Sequence, residues 1–142
     1  MGKRLLFFAA VALALSGTNA ASAEDVVAVV SAKSPITSLN TNQVADIFLG
    51  KTSRFPDGSL AVPIDQLEES PAREKFYAQF TGKSPAQLKA HWSKIIFTGR
   101  GQPPRQVASN AEARKTIADN PYAIGYLDQS QVDASVKVLA LR

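Results

Sequence analysis

The sequence predicts a single α/β domain, a mainly parallel sheet with helices on both faces. Three observations carry this. Asp25 to Val30 is a nearly unbroken apolar run rich in valine, as a strand buried on both faces requires. Leu60, Val62 and Ile64 alternate at strand spacing and lead within a few residues into a helix opened by Ser70 and Pro71. Strand and helix signals then follow in the order β, α, β, α, α, α, β, β, which favours a layered fold over a bundle or a sandwich.

The chain opens with residues that are expected to leave. Lys3 and Arg4 precede the short apolar run Leu5–Leu15, and Ala21-Ser22-Ala23 has the small-x-small form of a signal-peptidase site. Residues 1–23 are read as a leader cleaved after Ala23, and 24–142 as one exported domain, bacterial periplasm being the expected compartment. After the first strand, Ser31 to Pro35 is a polar turn. Thr41 is expected to cap a helix from Asn42 to Leu49, with Val44, Ile47 and Phe48 on its inner side and Gly50 as its stop. Lys51–Ser59 is a loop with the turn signal Pro56-Asp57-Gly58.

The strand at Leu60 is expected to end in a polar turn, Asp65–Glu69. Ser70 then caps the second helix, whose Phe76, Tyr77 and Phe80 recur at helical spacing, and Gly82 ends it. Ser84-Pro85 opens a third helix carrying Leu88, His91, Trp92, Ile95 and Ile96. Phe97 to Pro104 is a Gly/Pro loop. Ser109 or Asn110 caps a fourth helix that runs to about Asp119, stopped by Asn120-Pro121. Ala123–Leu127 and Val136–Leu141 read as the last two strands. In a parallel sheet the loops Ser31–Ser38 and Asp65–Ser70 and the segment after Tyr126 gather along one edge.

Composition narrows the chemistry. There is no cysteine, so disulfides, thiolate metal sites and a lipid-anchored cysteine are excluded. The formal net charge of +4 falls to +2 once a leader with two bases and no acid is removed. That is too mild, and the bases too scattered, for a nucleic-acid partner. His91 is the only histidine and has no nucleophile beside it in sequence, so it reads as structural. Asp65, Glu68 and Glu69 lack calcium-loop spacing and read as a solvated turn. Gly99-Arg100-Gly101 lacks the preceding strand of a phosphate loop. No cofactor, metal or enzymatic reaction is expected.

Anion binding has more support. The start of the second helix offers free N–H groups and the positive end of a helix dipole. Ser70 lies at that start and Arg73 in the first turn, where a guanidinium can grip an oxyanion with two hydrogen bonds. Ser34 and Thr37 supply hydroxyls from the turn expected at the same edge.

Several stretches are familiar together. Asn42–Lys51 (NQVADIFLGK), Val62-Pro63-Ile64, Ser70 followed by Phe76, and Ala123-Ile124-Gly125-Tyr126 resemble, in that order, the periplasmic phosphate-binding proteins of ABC importers. The resemblance runs from about Val26 to Leu127 and covers one lobe of that two-lobed, type 2 periplasmic-binding fold. It implies a non-catalytic exported protein that takes a small anion such as phosphate, with an ABC transporter membrane component as its partner. Against the family's arginine followed by Ser-Gly-Thr, Ser70 matches the serine. Pro71 and Ala72 stand in place of the glycine and threonine, and the arginine position falls at Asp65 or Gln66. The other role considered for a half-lobe is an envelope interaction module that docks or pairs with a second copy through its exposed face. The ligand-binding residues expected are Ser34, Thr37, Ser70 and Arg73.

Overall fold

The computed structural model describes residues 25–142; the expected leader and its cleavage point lie outside the described residues. The elements are β1 (Val26–Ser31), β2 (Ser38–Leu39), α1 (Thr41–Phe48), β3 (Val62–Gln66), α2 (Pro71–Thr81), α3 (Pro85–Phe97), β4 (Arg105–Val107), α4 (Asn110–Ala118), β5 (Ala123–Asp128), a 3-10 turn at Gln129–Gln131, β6 (Val136–Val138) and β7 (Ala140–Leu141). Five strands form the central sheet in the order β4-β3-β5-β1-β6, and β2 pairs with β7 in a small parallel ribbon.

The sheet is mostly parallel. β3 runs parallel to both β4 and β5, whereas β1 is antiparallel to β5 and to β6, so four strands share a direction and β1 opposes them. The expectation that β1 joins the parallel set is therefore corrected. A strand buried on both faces looks the same in sequence whichever way it points.

Alternation along the strands builds two cores. Val26, Ala28 and Val30 of β1 and Ile124 and Tyr126 of β5 face α1, α2 and α3, against Phe48, Phe76, Tyr77, Leu88 and Trp92. Val29, Ala123, Leu127, Ile64 and Val107 face the other way, beneath Ala113 and Ile117 of α4. The faces alternate for a topological reason. The chain steps outward from β3 to β4 over α2 and α3, then back past β3 to β5 through α4. Connections of one hand that step in opposite directions must use opposite faces. At Gly125 the sheet and α4 come very close: a Cβ there would sit 2.3 Å from Ile117 Cδ1.

The helix signals work largely as read. Ser84 and Gln87 form a reciprocal capping box at α3, with Pro85 at the first position. Ser109 caps α4 by accepting from the Glu112 N–H. Gly82 closes α2 in the left-handed conformation, φ 68°. At α1 the cap is Asn40, boxed with Gln43, one residue before the expected Thr41. Three short strands were not foreseen as such: β2, β4, and the separation of Val136–Leu141 into β6 and β7. The last arises because the Leu139 N–H bonds to Ala28 O while the next N–H, of Ala140, bonds to Thr37 O. His91 Nε2 donates to the Leu49 carbonyl at 2.8 Å and so ties α3 to the carbonyl end of α1.

Candidate functional site

β3 and β5 end at the same edge, and α2 and α4 begin there. The side chains they bring together are mostly polar. Asp65, expected in a solvated turn, is instead the fourth residue of β3 and only 1% exposed. Strand alternation points it to the α2 side, and its carboxylate is surrounded by donors. Oδ2 accepts from the Tyr77 hydroxyl at 2.6 Å. Oδ1 accepts from the Tyr126 hydroxyl and from the Gln66 N–H at 2.8 Å. Arg73 Nε lies 3.5 Å from Oδ1, an ion-pair contact without hydrogen-bond geometry, and the guanidinium stands 5.1 Å over the Tyr77 ring. Two hydroxyls, a backbone N–H and a guanidinium are what a bound oxyanion would ask for; here the chain's own carboxylate receives them.

The same carboxylate governs the tyrosines. Burial first, then the negative charge of Asp65 and the hydrogen bond to it, push the Tyr77 and Tyr126 hydroxyls far above the usual tyrosine value. They stay protonated and act as fixed donors. Phe76 stacks on Tyr126 at a centroid distance of 4.1 Å and packs edge-on against Tyr77 at 5.3 Å, which holds both rings in place.

Gln66, the next residue of β3, faces the opposite side and joins a second chain of hydrogen bonds. Its Nε2 donates to Tyr126 O and to Asn110 Oδ1, both at 3.1 Å. Asn110 in turn donates to Asp128 Oδ2 at 2.7 Å. The Ser70 hydroxyl donates to Gln66 Oε1 at 2.6 Å and makes no cap to its own helix. Ser70 is therefore turned into the edge rather than toward the free N–H groups of α2.

Of the four expected ligand residues, Ser70 and Arg73 share this edge. Arg73 pairs with Asp65. Ser34 and Thr37 are elsewhere. Because β1 runs against β3 and β5, its carboxyl end lies beside the first residues of β5, where Val30 faces Ile124. Ser34 is buried there and accepts from the Ile36 N–H at 3.1 Å, while its carbonyl takes the Lys137 ammonium. Thr37 is exposed and holds the Ala140 N–H through its carbonyl. The four residues are thus not brought together: Ser70 and Arg73 share one edge, and Ser34 and Thr37 lie at the opposite one.

The residues sequence reasoning missed here are Asp65, Tyr77 and Tyr126. Their signal was faint: Asp65 continues the period-two pattern of Val62 and Ile64, and Tyr77 and Tyr126 sit inside apolar faces where a hydroxyl needs a partner. Arg73, 9% exposed, turns toward a groove of about 190 Å³ that it lines with Glu68, Lys89, Ser93 and Gln106. Among the described residues there is no group of three His, Cys, Asp or Glu placed to hold a metal ion.

Solved structures of other proteins share this fold. A chain described as a phosphate ABC transporter substrate-binding protein from Clostridium perfringens, solved with bound phosphate, superimposes with a TM-score of 0.66 at 19% identity over 83% of this chain. An ABC-type phosphate transport receptor from Vibrio cholerae gives 0.66 at 20% identity over 83%. PstS from Borrelia burgdorferi gives 0.62 at 14% over 84%. The fold matches one lobe of these phosphate-receptor structures. The match takes in only 45–47% of those chains, so this chain spans about half their length. No protein-family model matches the sequence, and no curated protein matches it either. No described helix is long and apolar enough to cross a membrane.

Proposed function

We propose that this chain is an exported, non-catalytic binding lobe that takes a small oxyanion, phosphate first, at the corner where α2 begins, and passes it to a transporter component in the membrane. The observation that carries this is Arg73. It is a nearly buried cation at a helix N-terminus, and its Nε is shut off from solvent without a hydrogen-bond acceptor. It borders a groove together with Lys89, Ser93 and Gln106. The groove's volume, about 190 Å³, suits an inorganic ion and is below the roughly 300–1,000 Å³ of sites for larger molecules. Relatedness of fold to phosphate receptors points the same way. Asp65 already balances part of the Arg73 charge, and Glu68 faces the same groove, so the affinity is expected to be modest. Calorimetric titration with phosphate and sulfate is the test. Saturable heat that disappears in Lys89→Glu supports the reading, and no heat up to millimolar anion removes it.

One observation favours a second reading, an envelope interaction module. Phe97 at the end of α3 is 92% exposed and Ile96 beside it 56%, a large apolar surface on the flank of the same corner. Sedimentation at rising concentration distinguishes the two: self-association that Phe97→Glu abolishes, with no phosphate heat, replaces the first reading by the second.

A further inference from the structure

A second groove lies on the other flank of α3, and no residue of α2 lines it. Its volume is about 590 Å³, within the range of small-molecule sites. Its walls come from the end of α1 and the loop after it, the start of β3, α3 and the Arg100–Pro104 loop. The apolar part includes Trp92, Ile95 and Pro104, with Ile47, Ala61 and Pro63 beside them. The indole owes its place to Gly50, where a Cβ would lie 2.9 Å from Trp92 Cη2 and where φ is +73°. Both the close approach and the backbone angle demand glycine at that position. The charged part has one sign. Lys51, Arg54 and Arg100 line the groove and no acid does. Arg54 spends one nitrogen on the Gly58 carbonyl at 2.8 Å, Lys51 has only a distant, exposed contact with Asp46 at 4.0 Å, and the Arg100 guanidinium has no partner among the described residues.

We propose that this groove binds a small organic acid, a ligand with a flat or apolar body against Trp92, Ile95 and Pro104 and one carboxylate, sulfonate or phosphate group among Lys51, Arg54 and Arg100. A bare inorganic ion would leave the apolar wall wet, and a neutral ring would leave three cations unanswered. The ligand's acid group is desolvated only in part, since the cations are exposed, so the apolar body supplies the remaining affinity. This site stands apart from the Arg73 corner, although Trp92 borders both grooves.

Trp92 is the only tryptophan of the chain and borders both grooves, so its fluorescence reports on this one once the other is disabled by Lys89→Glu. The probes are phenylphosphonate, benzyl alcohol as its neutral counterpart and inorganic phosphate as its ring-free counterpart. In Lys89→Glu, phenylphosphonate is expected to shift Trp92 emission saturably, at concentrations at least about tenfold below those at which either counterpart acts. The double change Arg54→Glu with Arg100→Glu should weaken phenylphosphonate by more than about tenfold while leaving the circular dichroism unchanged. Lys89→Glu, on the other groove, should leave it unaffected. Equal response to benzyl alcohol, equal response to inorganic phosphate in the Lys89→Glu background, no response at all, or a response lost in Lys89→Glu rather than in the double variant would each overturn the assignment, and reading the phosphate arm in Lys89→Glu separates it from phosphate bound at Arg73.

Discussion

Exchange of Asp65 for Asn tests the corner most directly, because it keeps the shape and removes the charge. Three donors and one cation converge on that carboxylate: the Tyr77 and Tyr126 hydroxyls, the Gln66 N–H and the Arg73 guanidinium. The hydroxyls can turn to accept from an amide, so the hydrogen bonds are largely replaceable. The ion pair is not. The Arg73 side chain is 11% exposed and Asp65 2%, so water screens the stranded guanidinium poorly. Removing one member of such a buried pair costs about 3–5 kcal/mol. Against a total stability of roughly 5–15 kcal/mol, that is a large share. With a urea m value of about 2 kcal/mol/M, the unfolding midpoint of Asp65→Asn should fall by about 2 M. Adding Arg73→Met in the same chain should recover part of the loss, since it removes the stranded charge, and the double-mutant cycle measures the coupling. Added phosphate should raise the midpoint of Asp65→Asn more than that of the parent, because a free anion then answers Arg73. A midpoint within about 0.5 M of the parent, or no recovery in the double variant, would refute the account of Asp65 as a built-in counter-anion.

Other outcomes follow from the same geometry. Tyr77 and Tyr126 have folded pKa values raised above the unfolded value near 10, so their contribution is complete below pH 10 and is lost as pH rises above it, by up to about 1.4 kcal/mol per pH unit for each ring. Urea midpoints between pH 9 and 11 should show this fall, and the double change Tyr77→Phe with Tyr126→Phe should flatten it. Gly125→Ala should destabilise by about 1–3 kcal/mol, because its Cβ meets the fully buried Ile117 at 2.3 Å and Ile64 O at 3.3 Å; a neutral effect in thermal unfolding would show that α4 yields easily. His91→Ala removes the donor to Leu49 O and should lower stability by about 1 kcal/mol while leaving phosphate heat intact. Loss of anion binding in that variant would give His91 a role beyond joining α3 to α1.

The local grammar of this chain is written within a few residues. Ser84, Pro85 and Gln87 open α3, Gly82 ends α2, and Val26 to Val30 mark a strand covered on both sides, because caps, turns and side-chain alternation depend on neighbours at short spacing. That was enough for the order of the main elements, a mostly parallel layered fold, and the placing of Ser70 and Arg73 at the head of α2. Two decisions came from contacts across the fold. Pairing with β5 and β6 set β1 against the other strands, which carried Ser34 and Thr37 to the far edge. Tyr126, 61 residues further on, met Asp65 and made a buried anion of an acid that read as part of an open turn. Strand direction and the partner of a buried charge are fixed by packing between distant segments, and no short window of sequence records either.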